Sequence, residues 1–158
     1  NSNIYYRISY RSESDKQHAE PLMYAIRRHF ADAKAIMKTK GWRLLDLTGV
    51  WITCGSDPVP WDTISAFVEK GATFMANWGM TEIGPCAINT VFETLDKVEE
   101  YKQELTIVGD RFYCDTTVGP DGQLYVKGDI STYGDNWFAT KDVVKEENNS
   151  YYYVKRAS

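Results

Sequence analysis

The first apolar pattern in the chain, "NIYYRISY", alternates like a strand, and the residues after it are polar and irregular to about position 20. From Pro21 the period changes. Leu22, Ile26, Phe30, Ala33 and Met37 recur every three or four residues, which predicts one face of a helix. Pro21 suits a first helical turn, where its missing N–H costs nothing, and Gly41 is a plausible stop. Val50-Trp51-Ile52-Thr53-Cys54, ended by Gly55, predicts a buried strand. Ile64, Phe67 and Val68 predict a helix from Asp62 to Lys70, closed by Gly71. Ala72–Ala76 predicts the next strand. Helix, strand, helix, strand is the order of a parallel α/β layer. In such layers ligands gather outside the carboxyl ends of the strands. Gly55 and Trp78-Gly79 stand at two such ends.

Beyond residue 104 the texture is β. Short runs at 106–108, 113–118, 123–127, 137–140 and 151–156 alternate with turn signals at Gly109-Asp110, Pro120-Asp121-Gly122 and Gly134-Asp135-Asn136. The expected fold class is therefore α/β. An irregular lead-in over 1–20 precedes a partial parallel layer over 21–103, and a β-rich, barrel-like half follows over 104–158.

Composition narrows the function classes. A chain of 158 residues can bury one sizeable core. No apolar run approaches the roughly 20 residues of a membrane span. A net charge of −4 argues against non-specific binding to nucleic acid or anionic membrane, both of which favour a basic face. Cys54, Cys86 and Cys114 are far apart, and His18 and His29 lack ligand spacing. Reduced thiols and a cytoplasmic location are expected. Asn148-Asn149-Ser150 matches a glycosylation acceptor but is too short to carry weight. Five Trp and eleven Tyr exceed what a minimal core needs, so some are candidates for a binding surface.

Four segments carry candidate chemistry. "NWGMTEIGP", residues 77–85, reads as a loop at the end of a strand. Gly79 and Gly84 allow close backbone approach, and Trp78 offers a flat face for a ring. Thr81 offers a hydroxyl to a phosphate oxygen. Glu82 offers a hard oxygen to Mg²⁺, a cation usually held by few carboxylates plus substrate phosphates. The plain alternative is a surface loop with a structural Trp and a solvated Glu. In "TCGSDPVP", residues 53–60, the backbone at Gly55 and Ser56 can lie along a flat ligand or simply turn at the prolines. In "GDNWFATKDVV", residues 134–144, Asp142 can accept two hydrogen bonds from a diol such as ribose, or sit exposed on a hairpin. Arg156 in "YYYVKRAS" is by itself an ordinary solvated residue.

The order of the pieces adds information. Gly-x-x-Pro-x-Pro from Gly55 is followed by Trp78-Gly79-Met80-Thr81-Glu82. Gly-Gln-Leu-Tyr-Val-Lys-Gly from Gly122 comes next, then Trp-Phe-x-Thr-x-Asp from Trp137, then Tyr-Val-x-Arg from Tyr153. This series resembles the adenylate-forming superfamily of acyl-CoA synthetases, peptide-synthetase adenylation domains and luciferases, from about Pro21 to Ser158. The resemblance implies that Gly55, Ser56 and Asp57 lie along an adenine. It further implies that Trp78 stacks on that ring, with Gly79 after it, and that Asn77 reads its exocyclic amine. By the same resemblance Thr81 meets the α-phosphate and Glu82 the magnesium, as the catalytic positions. Asp142 takes both ribose hydroxyls, Arg156 lies near the same ribose, and Ile83 and Gly84 fall where the acyl pocket begins.

The implied cofactors are ATP or AMP and Mg²⁺, with coenzyme A or a carrier-protein thiol as acceptor. The implied partners are a carboxylic acid and the remainder of an adenylating enzyme. Two positions depart from the family pattern. Thr140-Lys141-Asp142 stands for Thr-Gly-Asp, and Lys155-Arg156 for Gly-Arg. Nothing like the family's glycine-rich phosphate loop precedes Pro21, and the lid with its lysine would begin after Arg156. The expectation is an internal portion of a carboxylate–AMP ligase, inactive alone. The alternative is a degenerate relative that binds a nucleotide or a protein without catalysis.

Overall fold

The computed structural model describes residues 5–29, 33–38, 40–55, 57–80, 82–129 and 131–157. In chain order the elements are β1 (Tyr5–Tyr10), α1 (Glu13–His29), α2 (Ala33–Met37) and a 3₁₀ turn (Trp42–Leu44). Next come β2 (Val50–Gly55), α3 (Trp61–Glu69), β3 (Thr73–Met80), β4 (Gly84–Phe92) and α4 (Leu95–Tyr101). The last are β5 (Thr106–Gly109), β6 (Arg111–Phe112), β7 (Asp115–Val118), β8 (Gln123–Lys127), β9 (Phe138–Glu147) and β10 (Ser150–Arg156). They form two five-stranded sheets, ordered β1-β2-β3-β4-β6 and β5-β10-β9-β8-β7.

The first sheet is mixed. β2 and β3 run parallel, joined through α3 as the helix-strand pattern predicts. β1 and β4 flank that pair antiparallel, and β6 continues antiparallel beyond β4. The expected parallel layer is thus reduced to one pair. The tight turn between β3 and β4 permits only a hairpin, while β1 reaches β2 through the long connection that holds α1 and α2 and still pairs antiparallel. Much of the loop expected over 77–85 is accordingly strand: Asn77, Trp78, Gly79 and Met80 belong to β3, and Gly84 opens β4. The run Ala87-Ile88-Asn89-Thr90-Val91-Phe92 was not expected as a strand, although it buries four apolar side chains.

The first helix also differs from expectation. It begins at Glu13, eight residues before Pro21, which lies inside it. Ser12 Oγ accepts the Asp15 N–H at 3.2 Å, and Glu13 and Asp15 supply acid to the first turn. These contacts fix the start. Ala19 and Met23 are buried on it, while Phe30 of the expected face lies outside the described residues. In α2 Ile36 is buried and Met37 half exposed, so the face is one residue out of phase with the sequence reading.

The β-rich half is an open antiparallel sheet. Among the described residues β5 and β7 are its edges, and no pairing closes it into a barrel. The two sheets enclose two cores. One gathers Ile52, Ile64, Phe67, Phe74 and Phe92 around α3, with the Phe67 and Phe74 rings stacked at 5.7 Å. The other joins Ile83 and Ile88 to Leu124, Val126 and Val144. No described helix is long and apolar enough to cross a membrane.

A junction at Asp110 ties the two sheets together. A Cβ on Gly109 would lie 2.7 Å from the Asn89 carbonyl, so β5 can approach β4 this closely only with glycine. Beyond it, Asp110 accepts from Thr90 Oγ1 at 2.9 Å and from the Tyr101 hydroxyl at 2.6 Å. That bond to Asp110, more than its burial, pushes the Tyr101 hydroxyl up to about 12. A raised phenol pKa means the stabilisation is fully present below the ordinary value of about 10. It is lost as pH climbs toward the folded value of about 12.

β9 carries a second constraint. Its pairing with β8 passes from Gln123↔Val143 to Tyr125↔Ala139, so Thr140, Lys141 and Asp142 bulge out of register. Lys141 sits at φ 69, a left-handed conformation that costs a residue with a Cβ roughly 1–2 kcal/mol and glycine far less. Its side chain is exposed.

Two outcomes follow from these constraints. Tyr101→Phe should lower the unfolding free energy by about 1 kcal/mol, the worth of a typical hydrogen bond. In urea titrations the gap from the parent should shrink above pH ~10. Lys141→Gly should raise stability by about 0.5–1 kcal/mol, because relief of the strained φ outweighs the extra freedom of unfolded glycine. A melting temperature that falls in Lys141→Gly would contradict that account.

Candidate functional site

Four separated segments meet at the seam between the sheets. The end of β3 brings Asn77, Trp78, Gly79 and Met80, and the link after β2 brings Asp57, Pro58 and Val59. The bulge of β9 brings Thr140 and Asp142, and the end of β10 brings Tyr153 and Arg156. With Ile107 and Val108 of β5 they line one cavity of about 300 Å³.

The parallel β2–β3 pair explains half of this convergence, since parallel strands bring their carboxyl ends to the same edge. Gly55 ends β2 next to Asn77. A Cβ there would collide with the Asn77 side-chain amide and lie 2.8 Å from its carbonyl oxygen. Glycine is therefore required by close approach. The Asn77 amide Nδ2 donates to Cys86 Sγ at 3.3 Å. Gly79 lies where the register of β3 with β4 shifts, between Trp78 and Met80.

Asp142 is the electrostatic centre. It is only 8% exposed. A carboxylate so far from water needs donors, and two strands supply them. Trp78 Nε1 donates to Oδ2 at 2.9 Å and Arg156 Nη1 to Oδ1 at 2.8 Å. Arg156 Nη1 also donates to the Thr140 carbonyl at 3.1 Å. The Asp142 N–H donates to Thr140 Oγ1 at 3.1 Å, and that hydroxyl donates to the Leu124 carbonyl at 2.8 Å. Each link of the bulge is thus anchored. The Arg156 side chain is 63% exposed, so its ion pair adds little stability but leaves a guanidinium at the cavity mouth. The Tyr153 hydroxyl is raised by burial first, then by the negative charges of Asp142 and Asp57.

The expected site residues divide into three groups. Asp57, Asn77, Trp78, Gly79, Asp142 and Arg156 line the cavity, and Gly55 abuts it. Asp142 is buried rather than exposed on a hairpin, and Arg156 is engaged rather than merely solvated. Ser56 and Thr81 lie outside the described residues. Glu82 and Ile83 lie in the β3–β4 turn and Gly84 opens β4, and none of the three is among the cavity-lining residues. The Glu82 carbonyl accepts the Thr132 N–H at 2.9 Å, which docks the turn on the segment after β8. Ile83 is fully buried in the second core. Gly84 has φ 101, a turn geometry that suits glycine.

Thr140 and Tyr153 were not singled out from the sequence. Both stand inside motifs whose last residue alone drew attention, Thr-x-Asp and Tyr-Val-x-Arg. Val108 and Met80 gave no signal beyond being apolar.

No family model matches the chain. Two curated relatives share 26% identity with it over an alignment of 145 positions, taking in 77% of the chain: feruloyl-CoA synthases of an Amycolatopsis and a Streptomyces species. The chain spans only 28% of the length of each. Among solved structures, McyG A-PCP complexed with phenylalanyl-adenylate superposes with a TM-score of 0.62 at 16% identity, over 89% of this chain and 33% of that one. The o-succinylbenzoate CoA synthetase of Bacillus subtilis gives 0.61 at 16% identity, over 89% and 34%. The N-terminal domain of FACL13 from Mycobacterium tuberculosis gives 0.57 at 19% identity, over 78% and 36%. The feruloyl-CoA synthase relatives and the shared fold support a place in the AMP-binding, adenylate-forming superfamily, of whose listed members the chain covers only a part.

Proposed function

We propose that the chain is the adenine- and ribose-binding part of an ATP-dependent carboxylate–AMP ligase of the acyl-CoA synthetase type. One observation carries the reading. Residues assigned separately to adenine and ribose, from segments up to a hundred positions apart in the sequence, line a single cavity. In that cavity the Trp78 ring is the face for adenine and the Asn77 amide the reader of its edge. Asp142 and Arg156 hold the sugar. The buried carboxylate fixes where the hydroxyls sit, and the guanidinium adds a donor at the mouth.

In the complete enzyme a carboxylic acid would attack the α-phosphorus of ATP and release pyrophosphate. The acyl-adenylate would then pass to a thiol of coenzyme A or a carrier protein. This chain's contribution is positioning and electrostatics, on which such transfers mainly depend. Thr81 is assigned to the α-phosphate by the motif alone. Glu82 fits a magnesium ligand. It is a half-buried carboxylate with no ion pair to another described residue, and Mg²⁺ is usually held by one or two carboxylates with phosphate oxygens and water. When bound, the ion would offset charge on the phosphates. Three free cysteines suit a reducing compartment, and a cytoplasmic location belongs to this proposal.

The test is titration of AMP into the isotope-labelled chain, with perturbations expected at Trp78, Asn77 and Asp142. Loss of base stacking costs roughly 1–3 kcal/mol, so Trp78→Ala should weaken AMP by about one to two orders of magnitude. Unchanged affinity in a folded variant would sink the assignment. Glu82→Gln should leave the melting temperature close to the parent, yet abolish any strengthening of ATP binding by added Mg²⁺. A large loss of stability with the magnesium effect intact would instead mark Glu82 as structural.

A further inference from the structure

The Asn77 side chain is held from two sides before any ligand arrives. On the β2 side stands Gly55, where a Cβ would collide with the Asn77 amide. The amide has room there only because that side chain is missing. On the other side stands Cys86, whose Sγ accepts from Asn77 Nδ2 at 3.3 Å. The two residues meet because β3 and β4 pair antiparallel. Cys86 is itself fixed. Its carbonyl accepts from Asn89 Nδ2 at 3.2 Å. Asn89 lies directly opposite Asn77 in the strand pair and is only 2% exposed. The contacts thus run from a buried amide, through Cys86, to an amide on the cavity wall. Asn77 lines the cavity and Cys86 does not. A thiol is a weak partner that can accept or donate, so this contact adds little stability. What it restricts is the plane in which the Asn77 amide lies. After the bond to Cys86 the amide keeps further donor and acceptor capacity for a ligand. A side chain already held in place also spares a ligand the cost of immobilising it.

We propose that Cys86 is a positioning residue for this cavity: its thiol holds the Asn77 amide in the plane in which that amide meets the edge of the base. The inference rests on the nucleotide reading above and adds to it a residue that touches no ligand. Its role passes entirely through Asn77. A side chain of similar size that accepts a hydrogen bond should replace it, and one that cannot should not.

The experiment titrates AMP, and purine riboside 5′-monophosphate, which lacks the exocyclic amine, into the unaltered chain and its variants. On the unaltered chain AMP should lead the analogue by about three- to tenfold, the worth of one hydrogen bond. Cys86→Ala should remove most of that lead. Cys86→Ser should keep it, since a hydroxyl accepts from the amide as the thiol does. In an Asn77→Ala background, Cys86→Ala should change nothing further, because residues that act through one contact do not add. The Asn77 side-chain amide resonances should also move in Cys86→Ala with no nucleotide present. If Cys86→Ala keeps the lead, or weakens AMP equally with and without Asn77, the inference is overturned and the nucleotide reading stands on Trp78. An unaltered chain that binds both nucleotides equally well overturns it in the same way. If neither nucleotide binds the unaltered chain, the nucleotide reading falls and takes this inference with it. If Cys86→Ala does not fold, Cys86→Val, which fills the space without hydrogen bonding, decides by the same ratio and the same resonances.

Discussion

A carboxylate nearly out of water has to be met by donors or lose its charge, and meeting Asp142 organises the seam of this molecule. Trp78 reaches it from the first sheet, and Arg156 from the neighbouring strand of the second. The indole bond therefore spans the two sheets. It fixes the end of β3 against the bulge of β9, and the cavity is the space left around it. Several local features serve that meeting. The register shift at Gly79 turns the end of β3, the bulge at 140–142 turns Asp142 inward, and the Thr140 hydroxyl locks the bulge to β8.

The seam is held at other points by different means. Trp61 Nε1 donates to the Leu105 carbonyl at 2.9 Å, pinning α3 to the start of β5. Gly109 lets β5 close on β4, and Asp110 binds Thr90 and Tyr101 behind it. Ile83 and Ile88 from the first sheet interleave with Leu124 and Val126 from the second. Burial supplies most of the energy, at roughly 25 cal/mol per Å² of apolar surface. Burial has no direction, though, and it is the polar junctions at Asp110 and Asp142 that set how one sheet sits on the other.

Local patterns foretold β2, α3 and the first half of β3, because each declares itself within a few residues by its period and its glycine stop. Strand direction was not legible. A helix between strands implies a parallel pair, which β2 and β3 are, but nothing local announces an antiparallel strand on either side. β4 went unseen because the chemistry of Trp78–Glu82 drew the reading toward a loop, although Ala87–Phe92 is a plain apolar run. At the site, motif order singled out Asp57, Asn77, Trp78, Gly79, Asp142 and Arg156, which line the cavity. It could not give the bond from Trp78 to Asp142, whose partners are 64 positions apart.

The two lysines that stand where the superfamily has glycine show why a departure from a motif must be weighed by its backbone. Lys155 lies at the irregular end of β10, where pairing with β9 slips between Tyr153 and Lys155. It is exposed and is not among the residues with positive φ. Glycine is not required there, and the substitution leaves the strand intact. Lys141 occupies a conformation that glycine adopts freely and lysine does not. Yet its side chain is exposed, its N–H donates to Gln123 Oε1 at 3.1 Å, and its carbonyl accepts from Ala157 at 2.7 Å. The bulge is therefore held in the glycine-like shape by its neighbours, with Asp142 still facing the cavity. The cost of the departure falls on backbone stability, and Asp142 keeps its place in the cavity.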